Sequence, residues 1–320
     1  MTANEYDSIV IVTPIFEDYR SAELLFKEIS NEIGRKAEIV AVDDGSIQTP
    51  MDISVIENAL LNGTLISLNR NVGHQKAIAV GLNYVAKNYS NVVTVVMDSD
   101  GEDKPSSIKN LLDFLNSNEV DIVAAKRKKR FNTIKFKFFY SFYKLIFWTF
   151  AGRKIDFGNF VAITPNALKR LVSMGELWLN LAGCVLTSKL RVKTYDVDRG
   201  KRYHGLSKMN FVSLALHGFT ALMVFAEDAL VRVGIICAMV AAFTILGGIS
   251  AIVLKTIGFA TPGWFSMALG ILFLVFLQTG AIALVTLMMT GVIKSGLAKP
   301  LEYNDYILDI KQTSKTNLNP

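Results

Sequence analysis

Val92-Val93-Thr94-Val95-Val96-Met97-Asp98-Ser99-Asp100-Gly101-Glu102-Asp103 is the stretch on which the fold and the chemistry of this chain turn. Its first half is apolar and rich in β-branched residues, the pattern of a buried strand. Its second half sets four carboxylates within six residues. The acids therefore stand where a central strand leaves its sheet, the edge at which open α/β sheets bind ligands. Clustered hard oxygen donors suit Mg2+ or Mn2+, ions usually shared with a substrate's phosphates. An isolated D-x-D would be a solvated acidic turn, so its weight depends on the surrounding sequence.

That sequence repeats one arrangement. Ser8 to Thr13 is an apolar run ending at Pro14, and Ser21 to Ile33 has helical spacing. Glu38 to Val42 is a second strand, closed by Asp43-Asp44-Gly45-Ser46. Thr64 to Leu68 is a third, followed by Asn71-Val72-Gly73-His74 and a helix over Gln75 to Asn88. Asp121 to Ala125 supplies a fifth. Strands alternating with helices predict βαβ units and a mostly parallel sheet. No G-x-G-x-x-G follows the first strand and no G-x-x-x-x-G-K-[ST] occurs, which disfavours a dinucleotide fold or a P-loop enzyme.

The second half has another texture. Hydrophobic residues make up 51% of the chain and mean hydropathy is +0.34, high for a soluble protein. The excess is concentrated in two uncharged stretches, Val233 to Leu254 and Thr256 to Ile293, the latter broken early by Pro262-Gly263. At about 1.5 Å per residue each crosses a ~30 Å hydrocarbon core, predicting transmembrane helices over 233–254 and 264–293. The short connection makes them a hairpin with both flanks on one side. Arg232, Lys294 and Lys299 at the outer ends, against Lys255 in the loop, put those flanks in the cytoplasm. The polar opening, Met1 to Ser8, is expected to carry no signal peptide. Cys184 and Cys237, the second within a span, do not indicate a disulfide framework.

Before the hairpin, Lys126-Arg127-Lys128-Lys129-Arg130 opens a basic run that merges into the aromatic-rich segment 131–150. Such a segment is expected to lie in a membrane interface. The net charge of +6 suits an anionic leaflet; nucleic-acid binding is the competing account of the same charge, and two downstream spans favour the bilayer. The polar residues from about 296 to 320 are expected to form a poorly ordered cytoplasmic tail. Gly247-Gly248, Ser250 and Ala251 permit close helix contact, so a homo-oligomer is an open possibility.

Five motifs in order carry a resemblance: Val12-Thr13-Pro14-Ile15-Phe16, Val42-Asp43-Asp44-Gly45-Ser46, Asn71-Val72-Gly73-His74-Gln75-Lys76-Ala77, the Asp98-to-Asp103 cluster, and Arg202-Tyr203-His204-Gly205-Leu206-Ser207-Lys208. Over about residues 8 to 295 the chain resembles the family 2 glycosyltransferases, in particular the membrane-anchored branch of polyprenyl-phosphate glycosyltransferases that includes dolichyl-phosphate mannose synthase. The resemblance implies an α/β GT-A fold over residues 1–228, followed by a transmembrane hairpin over 229–295. It implies inverting transfer of one sugar from a UDP- or GDP-sugar to a polyprenyl phosphate, undecaprenyl or dolichyl, at the cytoplasmic membrane face. It also implies Mg2+ or Mn2+ held by Asp98, Asp100 and Glu102. The family's cluster usually reads D-x-D-x-Q, so Glu102 adds a negative charge.

Pro14, Phe16, Asp18, Asp44 and Lys76, with Asp98, match donor-binding positions in the family. Arg127, Lys137, Ser141, Arg202 and Lys208 match positions that bind the acceptor phosphate beside Asp100. Lys137 and Ser141 are four apart and share a helix face. Asp156-Phe157-Gly158-Asn159-Phe160-Val161 departs from a common G-x-F-R pattern by lacking its arginine. His74, His204 and His217 are too scattered for a metal site, and His74 is expected to shape the loop near the donor. Two alternatives stay open. If the acceptor is a hydroxyl on a lipid-linked glycan or glycerolipid, Glu176 is the candidate base. The other is a non-catalytic membrane-tethered binder of nucleotide sugars.

Overall fold

β-Branched runs become strands here because both their faces are covered. A computed structural model describes residues 9–127, 152, 156–204, 220, 223–259, 261, 263–297 and 302–313. The chain divides into two units, one containing the sheet with its helices and one containing the long apolar helices. The sheet strands are β1 (Ile9–Ile15), β2 (Ala37–Asp43), β3 (Asn62–Leu68), β4 (Val93–Val96), β5 (Ile122–Arg127), β6 (Val161–Ile163), β7 (Val192–Val197) and β8 (Ile307–Gln312). Their order is β7-β5-β6-β4-β1-β2-β3-β8. β1 pairs in parallel with β2 and β4, β2 with β3, and β5 with β7. β6 runs antiparallel between β4 and β5, so those two remain parallel to each other.

The pleat sends alternate residues to opposite cores. Val10 and Val12 of β1 join Val40 and Val42 beneath helix α3 (His74–Asn88). Ile11 and Ile15 join Leu25 and Phe26 of helix α1 (Tyr19–Glu32) on the other face. Helix α2 (Ser54–Glu57) and helix α4 (Ser106–Ser117) cover that second face, with Ile56 and Leu111 fully buried. Helix α5 (Pro165–Val172) and helix α6 (Leu181–Thr187) complete the first. Gly81 lets α3 press onto the sheet: a Cβ there would lie 3.1 Å from Val42 Cγ2 and closer still to Val12.

Three strands go beyond expectation: β6, β7 and β8. β6 is only three residues long and adjacent strands hold it in place, and β7 pairs in parallel with β5. The segment after 295 was expected to lack order, yet Ile307–Gln312 forms β8 along the outer edge of β3. The edge offered unpaired backbone groups, and pairing satisfies them. Side chains fix the register: Thr313 Oγ1 accepts the Gly63 N–H at 3.0 Å, and Gln312 Nε2 donates to the Tyr84 hydroxyl at 3.0 Å.

The second unit contains α7 (Ala226–Thr256) and α8 (Trp264–Leu297), 31 and 34 residues long and apolar around their circumference. By length and composition each can cross a membrane. Leu272 packs on Gly247, and Lys255 Nζ lies 4.1 Å from the centre of the Phe265 ring near the turn between them. The interfacial segment expected over 131–150 lies outside the described residues.

Candidate active site

Because β1, β2, β4, β5 and β7 point the same way, the residues that follow them meet at one edge. After β1 comes Phe16, with 43% of its surface exposed. Glu17 then takes a left-handed φ of 49°. Its carboxylate accepts the N–H groups of Ile47, Gln48 and Thr49 at 2.7, 2.9 and 2.7 Å, which pins the loop after β2 beside Phe16. Those backbone donors, with Gln48 and Ile47 foremost, pull the Glu17 pKa down to about 2. Asp18 caps α1 through the Ser21 N–H at 3.4 Å. Pro14 is buried within β1, and Lys76 stands half-buried in the first turn of α3.

Asp44 links two loops: its oxygens accept the N–H groups of Val72 and Gly73 at 2.7 and 3.0 Å. Burial lifts its pKa despite those donors. The same loop delivers His74, whose Nε2 is 3.1 Å from Asp98 Oδ1. Asn159 approaches His74 at 3.0 Å and accepts from Gln75 Nε2 at 3.1 Å, while Gln75 Oε1 accepts the Leu181 N–H at 2.9 Å. Asn159 belongs to the stretch that departs from the family pattern. Burial alone would raise Asp98, but His74, Arg127 and Asn159 outweigh it and keep the carboxyl below its ordinary range. His74 is raised in return: desolvation opposes its charged form, and Asp98, Asp44 and Asp100 outweigh it.

The acidic turn is closed by a strap, residues 198–204, that follows β7. Gly200 N–H donates to the Glu102 carbonyl at 2.8 Å and Tyr203 N–H to the Asp100 carbonyl at 3.0 Å. Gly101, at φ +85°, leaves room for the Tyr203 ring, which would sit 2.7 Å from a Cβ there. Asp100 meets Arg202 Nη2 at 2.7 Å. Burial and the charges of Asp98 and Glu102 nevertheless raise its pKa. Asp103 accepts the Asp98 N–H at 3.1 Å and Arg127 Nη2 at 2.7 Å, and burial beside Asp98 pushes its pKa up to about 6.

Glu102 faces arginines. Arg127 Nη1 and Arg202 Nε lie 3.2 Å from its carboxylate, and Arg199 contacts it as well. Burial opposes ionisation of Glu102, yet the three guanidiniums hold it below the ordinary carboxylate range. The expected grip of one ion by Asp98, Asp100 and Glu102 is therefore not assembled. Among the described residues no three His, Cys, Asp or Glu side chains converge on a metal-sized space. Asp98 and Asp100 still fit a cation in the shared manner, one or two carboxylates plus substrate phosphates. The raised pKa of Asp100 marks negative charge that a cation would relieve.

Of the expected residues, Phe16, Asp44, Asp98, Asp100, Glu102, Arg127 and Arg202 gather at this edge. Lys137, Ser141 and Lys208 lie outside the described residues. Glu176 sits in the turn Gly175–Trp178, where its charge acts on Cys184. Arg199 and the loop-pinning Glu17 were not singled out from sequence, and Asp103 and Asn159 stood in quoted motifs without a role of their own. The spacing Arg199-Gly200-Lys201-Arg202 was the available signal for Arg199.

Comparison with known proteins agrees with this geometry. The sequence model described as Glycosyl transferase family 2 matches residues 10–177. The uncharacterized glycosyltransferase YkoT of Bacillus subtilis is 28% identical, over 87% of this chain and 85% of that one. An undecaprenyl-phosphate 4-deoxy-4-formamido-L-arabinose transferase of Shewanella sediminis is 23% identical, over 78% and 76%. Among solved structures, glucosyl-3-phosphoglycerate synthase from Mycobacterium tuberculosis, in complex with Mn2+, UDP-glucose and phosphoglyceric acid, superposes with a TM-score of 0.51 at 12% identity, covering 70% of this chain and 80% of that one. The fold is GT-A: a mixed, mostly parallel sheet between helices, here with two long apolar helices added.

Proposed function

This chain belongs to glycosyl transferase family 2, and from that premise we propose that it moves a single sugar from a nucleoside-diphosphate sugar to a polyprenyl phosphate at the cytoplasmic face of a membrane. The observation that carries the proposal is the convergence of Arg127, Arg199 and Arg202 on the acidic turn at the strand ends. A hydroxyl acceptor needs a base, whereas a phosphate oxygen is already anionic at pH 7 and needs cations to bind it. Glu176, the candidate base for a hydroxyl, has its charge beside Cys184.

Phe16 offers an exposed ring on which a nucleobase can stack. Glu17, next to Phe16 in the chain, pins the loop after β2 at the same sheet edge. Asp98 and Asp100 would hold Mg2+ or Mn2+, which when bound neutralises charge developing on the departing diphosphate. His74, with Nε2 3.1 Å from Asp98 Oδ1, sets a compensating charge beside it. The arginines present the acceptor phosphate for in-line attack with inversion at the sugar. The undecaprenyl-phosphate transferase of Shewanella sediminis and the Mn2+ and UDP-glucose bound by the mycobacterial synthase are consistent with these roles. Helices α7 and α8 would tether the enzyme to the bilayer that holds a lipid phosphate.

A panel of radiolabelled UDP- and GDP-sugars, incubated with membranes and extracted into butanol, tests the proposal. An acid-labile labelled lipid is expected. An acid-stable lipid product would identify a hydroxyl acceptor, and donor binding without any product would identify a binder.

A further inference from the structure

Both carboxylate oxygens of Glu102 face guanidinium groups: Oε2 meets Arg127 and Arg199, and Oε1 meets Arg202. Arg127 closes β5, while Arg199 and Arg202 belong to the strap after β7, so this one side chain ties two separate segments together. Three guanidiniums drawn to one point repel each other unless an anion stands between them. A cation at Glu102 would have to displace all three.

The arginines are not exhausted by these contacts. Their side chains keep 34%, 25% and 29% of their surface exposed, for Arg127, Arg199 and Arg202 respectively. A guanidinium carries five N–H donors, and the named contacts use only part of each set. Planar donors gathered in this way suit the oxygens of a phosphate dianion.

We propose that Glu102 is a positioning residue that gathers Arg127, Arg199 and Arg202 into one receptor for the acceptor's phosphate, and that Arg199 contacts that phosphate. This rests on the phosphate-acceptor reading above and deepens it by assigning Arg199 and by moving Glu102 from the cation to the arginines. The donor's diphosphate shares the same oxyanion chemistry, so the two sources are tested separately.

The test uses the full-length protein in detergent and two titrations, citronellyl phosphate alone and UDP with Mn2+. Citronellol, which lacks the phosphate, serves as the control and is expected not to bind. Arg199→Ala and Glu102→Gln are expected to weaken citronellyl phosphate about tenfold or more, the loss of one charge-assisted contact. Mn2+-dependent UDP affinity is expected to stay within about twofold in both, because neither residue serves the ion. Glu102→Asp should recover part of the loss, and Arg199→Lys should fall between wild type and Arg199→Ala.

A tenfold fall in Mn2+-dependent UDP affinity in Glu102→Gln would return Glu102 to the cation and overturn the proposal. Unchanged citronellyl phosphate binding in Arg199→Ala would overturn it too, as would equal loss of both ligands in either variant. Wild type that binds UDP with Mn2+ but not citronellyl phosphate sinks the receptor alone. Wild type that binds citronellyl phosphate but not UDP sinks the glycosyltransferase reading and leaves the receptor standing.

Discussion

Asp100 and Glu102 are two residues apart on one turn, yet their environments push them in opposite directions. Glu102 meets three guanidiniums and is held ionised. Asp100 has one guanidinium and is raised by burial and by neighbouring acids. That contrast makes Asp100 the side chain with most to gain from a cation, so Asp100→Asn should cost about 10²-fold or more in sugar transfer. Circular dichroism and melting temperature should change little; a collapsed fold would mean that the loss is structural. Glu17 supports a second prediction, with its pKa drawn to about 2 from an ordinary 4.5. A depressed carboxylate contributes stability that is fully present above the unfolded value and lost as pH falls through the folded one. Between pH 5 and 2, Glu17→Gln should therefore lose less stability than wild type, measured by denaturant unfolding. Such roles were only partly legible beforehand. Asp98 and Asp100 were visible because acids at a strand end carry their own signal, but charge alone does not say which partner an acid takes. Glu102 was read as an ion ligand from the acidic cluster and the family pattern; the arginines that meet it lie 25 to 100 positions further along the chain, beyond the reach of a local motif.

The strap and the acidic turn work as a pair of elements whose fit depends on glycine. Gly101 sits at φ +85° with the Tyr203 ring against the place a Cβ would occupy. Gly101→Ala should lose about 1–2 kcal/mol from the backbone term and an additional amount from the ring contact. In a Tyr203→Ala background, which loses the ring's own packing, Gly101→Ala should cost only the first part, so thermal melts of both single variants and the double separate the two. If Gly101→Ala cost as much in the Tyr203→Ala background as in wild type, the ring would not be the obstacle. The strands that frame these loops were readable wherever apolar β-branched residues ran on, as in β1, β2 and β4. β6 was not, because three residues carry no period, and β7 was not, because its outer residues are largely exposed. β8 hid in a polar segment, since its pairing depends on an edge that exists only once β3 is in place.

That last strand constrains the whole molecule. The chain leaves the sheet unit, passes through α7 and α8, and returns to pair β8 with β3 of the same sheet. If α7 and α8 cross a membrane, an even number of crossings is then obligatory, independently of the short connection between two uncharged stretches that suggested it. Strand pairing needs direct backbone contact, so residues 307–312 and the catalytic unit share one compartment. The turn between the helices must lie in the other. The two native thiols are buried, Cys184 in the sheet unit and Cys237 within α7, so introduced cysteines can report on each side. Thr261→Cys in the exposed turn should react with a membrane-impermeant maleimide in intact cells. Asn304→Cys, exposed just before β8, should react only after the membrane is opened. Labelling of Asn304→Cys but not Thr261→Cys in intact cells would place the site outside, away from cytoplasmic nucleotide sugars. Labelling of neither until lysis would mean that the helices do not cross, and the lipid-phosphate acceptor would lose its structural basis.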